Sequence, residues 1–382
     1  MLWRTIPLVA LFALAALAAQ PEPRLRLVSQ HPRPVITTRH PDAAGNKYGF
    51  EGGRVLKIGS AYHLFTSEMV ADPIWVKMKL GYWRSHDGLR WTRVSTIFES
   101  SGEFQGQDPR AALWSPLPVF DEAQSRWNLF YVAYRAAPGA DGQFLLNHKG
   151  EIWRAVSDKP GREGIGGPYK DVGVVLRPGP DSDPWEGLQG TDSFFPYRVD
   201  DKWYALYGSA RTEKVPIEHW LVGMASAPAI DGPWKRLSSL NPARIEKVFI
   251  ENPIVEPLPK GGYLCVYDSN VAGSIGYAFS ADGIHWNPGE PLVIQPKAKM
   301  WSKDVRTPLG LVAEGRASPS HAERRASVGA RHASPPHAER ASVYSVYYTG
   351  FEQEPDWKAL LAGQAGKTSC AVGLVKVRLE YR

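Results

Sequence analysis

Along most of the chain, apolar and polar residues alternate with a period of two, in runs of 6 to 10 residues broken by Gly, Pro, Asp and Lys. That period puts one face of an extended strand toward a core and the other toward a neighbouring layer. A paired run recurs as GRVLKIGSAYHLFTSE (53–68), LPVFDEAQSRWNLFYVAYR (117–135), FFPYRVDDKWYALYGSAR (194–211) and NPIVEPLPKGGYLCVYDS (252–269). Each reads as an antiparallel hairpin with a tight polar turn. A second unit follows each pair: GYWRSHDGLRWTRV (81–94), IWRAVSDKPG (152–161), GMASAPAIDGPWKRL (223–237) and GYAFSADGIHWNPG (276–289). It is a strand, usually an Asp-Gly turn, and then an aromatic residue, namely Trp91, Trp234 or Trp286; the second copy carries Gly167-Pro168-Tyr169 instead. Asp87, Asp231 and Asp282 belong to these outer turns, and the tryptophans are expected to cover the outer edges of the sheets.

Four strands therefore recur about every 60–70 residues, a fixed period that marks a radial or linear array of equivalent units. A fifth unit opens at 304–312, resumes at 343–351 and continues at 370–379. Five four-stranded antiparallel units predict an all-β fold, a five-bladed β-propeller. A two-sheet sandwich would lack so long a repeat. The segment 32–39 (PRPVITTR) is expected to supply an outer strand that helps close the ring.

Two stretches break the pattern. Residues 1–19 join Arg4 to an apolar run ending in Ala16-Leu17-Ala18, a secretory signal peptide too short to span a membrane comfortably. The mature chain, a single domain over 20–382, is then expected outside the cytoplasm, secreted or periplasmic. Residues 313–342 carry five Arg, three Glu and three His, almost no large apolar residue, and a near repeat (RASPSHAER, HASPPHAER). They cannot bury a core, so they read as a disordered insertion in blade five. The hairpin that carries them has its tip at the end opposite the strand starts.

Composition narrows the picture further. The chain has 382 residues, with Gly 36, Pro 32, Trp 14 and Tyr 16, the load expected of many turns and aromatic strands. Two cysteines are too few for a disulfide scaffold or a Cys-based zinc cluster. Cys265 and Cys370 either pair or stay as buried thiols. The formal charge of +6 falls to about +3 once Arg4 leaves with the leader and the five Arg and three Glu of the insertion are set aside. With no basic stripe, a nucleic-acid partner has no support. No phosphate-binding glycine loop, zinc signature or nucleophile elbow is present.

Acidic residues recur where the innermost strand of a blade begins: Glu51 before the first hairpin, Asp192 before the third and Glu251 before the fourth. In a propeller these starts converge at one end of the axis. Clustered carboxyls cannot all ionise freely, and that asymmetry supplies the proton donor and acceptor of glycoside hydrolysis. On these residues the chain resembles the five-bladed propeller glycoside hydrolases, above all family 43. Trp114-Ser115-Pro116 is similar to the Trp-Ala-Pro that opens blade two in that family. The resemblance implies Glu51 as base, Asp192 as pKa modulator and Glu251 as acid, with an inverting mechanism. It departs at Glu51-Gly52, where the family has Asp, and Asp72 and Asp108 compete for the base role. Asp108, Arg110, Trp114, Arg211, Asp268 and Arg306 are candidate substrate contacts. The implied partner is a carbohydrate from plant or microbial polysaccharide. No catalytic cofactor is implied; some relatives carry a structural calcium in the channel, which this sequence does not reveal. A glycan-binding propeller without activity and a phosphate-dependent glycosidase are the alternatives.

Overall fold

The computed structural model describes residues 23–43, 45–139, 142–294, 301–314, 342–364 and 368–381. The leader and nearly all of the insertion lie outside these residues. Among the described residues, twenty strands form five four-stranded antiparallel sheets. Blade one holds β2 (Gly49–Ile58), β3 (Ala61–Ala71), β4 (Lys77–Ser85) and β5 (Trp91–Glu99). Blade two holds β6 (Ala112–Asp121), β7 (Arg126–Arg135), β8 (His148–Pro160) and β9 (Tyr169–Leu176). Blade three holds β10 (Asp192–Val199), β11 (Lys202–Ala210), β12 (Trp220–Ala227) and β13 (Lys235–Arg236), and blade four β14 (Ile250–Pro257), β15 (Tyr263–Ser269), β16 (Ser274–Ser280) and β17 (Glu290–Val293). Blade five runs from β18 (Asp304–Ala313) through β19 (Val343–Phe351) and β20 (Cys370–Tyr381) to β1 (Pro23–Gln30). The innermost strands β2, β6, β10, β14 and β18 touch in turn, and β18 returns to β2, so the ring closes as a five-bladed propeller.

Closure comes from β1, which pairs with β20 from Pro23↔Tyr381 to Gln30↔Val375. This differs from the expectation for 32–39, which contributes only the bridge Ile36↔Val372. The reason is local: two prolines, Pro32 and Pro34, each lack the N–H that a ladder needs. The run 23–30, by contrast, alternates Leu25 and Leu27 against Arg24 and Arg26.

The Asp-Gly turns are built as the sequence implies. Asp87 Oδ1 accepts from the backbone N–H groups of Leu89 and Arg90 at 2.9 and 2.8 Å, and Asp282 Oδ1 from those of Ile284 and His285 at 2.8 and 2.7 Å. These donors hold both carboxyls well below the usual range, against the opposing effect of burial in Asp282. In three of the four copies the aromatic residue after the turn also seats one blade against the one before it, whereas Trp234 packs on Phe194 of its own blade at 4.9 Å. Trp91 of blade one meets Tyr347 of blade five at 5.8 Å, and Trp286 of blade four meets Tyr197 of blade three at 6.4 Å. Tyr169, in the Gly-Pro-Tyr variant, meets Phe65 of blade one at 6.3 Å. Cys265 and Cys370 are buried free thiols on β15 and β20.

Candidate active site

Every inner strand is interrupted by a bulge at the same place. In β2 the register shifts after Glu51, in β6 after Trp114, in β10 after Asp192, in β14 after Glu251 and in β18 after Val305. The next residue adopts left-handed φ in four of them: Gly52 (+66°), Ser115 (+51°), Ser193 (+49°) and Asn252 (+49°). Such a bulge bends the strand and re-aims the preceding side chain. Here it turns Glu51, Trp114, Asp192 and Glu251, one from each of four blades, toward the axis.

They line one cavity of about 430 Å³ together with Asp268, Asp304 and Arg306. Its outer wall is apolar and aromatic, including Trp75, Phe144, Trp220, Phe249 and Trp357. Trp75 itself sits at φ +66°, and its backbone carbonyl accepts from Trp114 Nε1 at 3.1 Å, which orients the Trp114 ring. A one-turn helix, Trp357–Leu361, carries Trp357 to the cavity, with Asp356 capping it through Ala359 N–H at 3.0 Å.

Arg306 is the centre of the charge. Its Nε donates to Asp268 Oδ2 at 2.6 Å, while Nη2 lies 3.2 Å from Glu251 Oε2 and 3.4 Å from Glu51 Oε1. Thr307 Oγ1 is within 3.3 Å of both Glu51 Oε1 and Asp268 Oδ2. The guanidinium lies 4.8 Å from the Trp357 ring centroid and 5.7 Å from that of Phe249. Burial opposes its charge, but Asp268, Glu51 and Glu251 outweigh burial and raise its pKa further.

The acids are differentiated by their surroundings. Asp192 is 2% exposed and accepts from Ser193 N–H at 2.6 Å, and from Gln189 Nε2 and Trp220 Nε1 at 3.3 Å each. Burial raises its pKa, and hydrogen bonds from Tyr134, Ser193 and Trp220 pull the other way. Burial, then the charge of Asp192, push Glu251 well above the carboxylate range, with Arg306 opposing. Burial lifts Asp268, which is fully enclosed, to about 6. Burial and Asp192 likewise raise the Tyr134 hydroxyl.

Six of the nine residues singled out from the sequence thus share this cavity: Glu51, Asp192, Glu251, Trp114, Asp268 and Arg306. Three lie outside its wall. Asp108 Oδ1 accepts from Arg110 N–H at 2.8 Å. Arg110 pairs with Asp171 at 2.7 Å and lies over the rings of Phe98, Tyr131 and Trp153, so it cements the outside of blades one and two. Arg211 donates to the Pro184 carbonyl at 2.9 Å and faces Glu218. The competing Asp72 is exposed and paired with Lys47 and Tyr48. The sequence reading missed Trp75, Gln189, Trp220 and Trp357, all from connections between strands or from strand ends. Among the described residues no cluster of three or more His, Cys, Asp or Glu is arranged to hold a metal.

Neither a family model nor a curated protein matches the sequence. Solved structures do match. Zg3597, a family 117 glycoside hydrolase from the marine bacterium Zobellia galactanivorans, superposes with a TM-score of 0.57 at 12% identity, over 94% of this chain and 90% of that one. BT0996, solved as an RGII complex, gives 0.58 at 12% over 91% and 92%. A thermostable family-43 glycoside hydrolase gives 0.50 at 14% over 88% and 94%. The chain has the five-bladed β-propeller fold of the family 117 and family-43 glycoside hydrolases.

Proposed function

We propose that the protein is a secreted glycoside hydrolase acting on plant or microbial poly- or oligosaccharides. The observation that carries this reading is the repeated bulge, which turns Glu51, Asp192 and Glu251 from three blades into one cavity. Glu251, the acid whose surroundings most favour the neutral form, gives its proton to the leaving oxygen. Glu51 takes a proton from the attacking water. Asp192, held by three donors, stays in place beside Glu251 and keeps that pKa high. Inversion requires a carboxyl separation of about 6.5–9.5 Å, with a water between the acid and the base, and it is the outcome favoured by the resemblance to family 43. Trp114 borders the sugar. The aromatic wall suits the apolar faces of a sugar ring.

A phosphate acceptor finds little to bind. Arg110 and Arg211 lie off the wall, and Arg306 is already held by the three carboxyl groups of Asp268, Glu251 and Glu51.

The test is a panel of 4-nitrophenyl glycosides and plant polysaccharides, followed by NMR of the product anomer for any substrate cleaved. Glu251→Gln and Glu51→Gln should each lower kcat by at least about a hundredfold, in the range general acid–base groups supply, while ligand binding persists. A glycan-binding protein would cleave nothing on the panel, and neither substitution would alter its affinity. That result, or full turnover by Glu251→Gln, would overturn the reading.

A further inference from the structure

We infer that Arg306 is a positioning residue that couples the two catalytic carboxylates, so that one fixed guanidinium neutralises whichever of them carries the negative charge. The inference rests on the assignment of Glu51 and Glu251 above.

The geometry is specific. A single nitrogen, Nη2, faces both Glu251 Oε2 at 3.2 Å and Glu51 Oε1 at 3.4 Å. A guanidinium free to swing would choose one partner. This one is fixed at its other edge by the 2.6 Å bond from Nε to Asp268 Oδ2, and its face rests on Trp357. Only blade four has an acid opposite its bulge. The positions facing Glu51, Trp114, Asp192 and Val305 on the second strands are Ser67, Val132, Gly208 and Gly350. Asp268, which faces Glu251 directly, is therefore not required by propeller packing. It is there to hold Arg306.

The reaction gives this arrangement its use. When the C1–O bond to the leaving group breaks, that oxygen takes the proton of Glu251. The water oxygen forms the new bond to C1 and passes a proton to Glu51. The pair carries one negative charge throughout, on Glu51 before the step and on Glu251 after it. A donor already in place at both ends stabilises the charge in transit without reorganisation, which is the main way enzymes use electrostatics. Other groups reach the same carboxylates. Asp192, Asp268 and the Tyr134 hydroxyl face Glu251, and Thr307, Asp268 and the Cys370 thiol face Glu51. None of these is cationic, so Arg306 alone among them supplies positive charge.

The test uses Arg306→Gln and Arg306→Lys in the full chain, assayed on the best glycoside from the panel. Removing the positive charge disfavours both carboxylate anions, so both limbs of the kcat–pH profile should move to higher pH, by about one unit or more. We expect kcat to fall about a hundredfold in Arg306→Gln, on the scale of losing one preorganised donor. Arg306→Lys keeps a charge but cannot span Asp268, Glu51 and Glu251 together, so its limbs should move less and its kcat should recover only in part. A purely structural role predicts lower thermal stability with unmoved limbs, and that result in either variant overturns the inference. If Glu51→Gln and Glu251→Gln remain active, the assignment of the acids has failed instead. If those two are inactive and the limbs stay put, only the role of Arg306 has failed.

Discussion

A carboxyl buried beside other carboxyls is costly, and Asp268 shows how the cost is distributed. Its environment lifts the pKa from 3.8 to about 6, with burial the largest cause and Arg306 opposing. The folded chain therefore binds this proton more tightly than the unfolded chain does. Stability from the site is fully present below pH 4 and is lost as pH rises through 6. Asparagine mimics the protonated acid at every pH. The stability of Asp268→Asn relative to the natural chain should thus improve between pH 4.5 and 7.5, by roughly 2–3 kcal/mol if the whole shift is expressed. Denaturant unfolding of both chains at the two pH values measures this, and a difference that stays constant with pH would refute it. The same residue marks a limit of the sequence. Asp268 reads there as a sugar contact at a strand end, but its place under Arg306 depends on the pairing of β15 with β14. Arg306 likewise reads as a substrate contact, and nothing local in Asp304-Val305-Arg306 shows that three acids from two other blades converge on it.

Strands and turns were far more legible, because hairpin period and Asp-Gly chemistry are local. The bulges lie between these cases. Each site residue is followed by a small or polar residue able to take left-handed φ (Glu51-Gly52, Trp114-Ser115, Asp192-Ser193, Glu251-Asn252), so the signal exists, but only the alignment of blades reveals it. Three of the four crowd together: Ser115 Oγ donates to Asn252 Oδ1 at 2.7 Å, and a β-carbon on Gly52 would come within 2.6 Å of that same Oγ. Gly52→Ala should therefore pay twice, once for positive φ at about 1–2 kcal/mol and again for displacing Ser115. Because the bulge aims Glu51, it should also reduce kcat at least about tenfold, given how steeply rate falls with misplacement of the order of 1 Å. Gly59→Ala is the control. Its φ is +57° at the β2–β3 turn, with nothing within 4 Å of the added carbon, so it should show the backbone cost alone and normal kinetics. Equal losses of activity in the two variants would contradict this account of the bulge. The loops that bring Trp75, Trp220 and Trp357 to the cavity had no such signal, since a tryptophan in a propeller is as readily part of a blade interface.

At the scale of the whole molecule, the ring separates chemistry at one end from tolerance at the other. β18 begins at Asp304 in the cavity wall and runs ten residues, about 30 Å at the usual rise. Its far end pairs Ala313 with Tyr344, Glu314 N–H donates to the Val343 carbonyl at 2.7 Å, and Lys376 lies 3.8 Å from Glu314. The hairpin is thus already closed by its own ladder where residues 315–341 attach. Replacing those 27 residues with a two-residue Asn-Gly turn shortens the chain between β18 and β19, which lowers the entropy cost of bringing the two strands together slightly. Kinetic constants should stay within about twofold, because no part of the cavity wall is attached there, and the melting temperature should hold or rise. Calorimetry and the glycoside assay decide the matter, and a large loss in either would assign the segment a role at the site or in the ring. Removing residues 23–30 should have the opposite effect. Blade five would lose its fourth strand and expose the length of β20, so cooperative unfolding should weaken markedly even though every cavity residue remains.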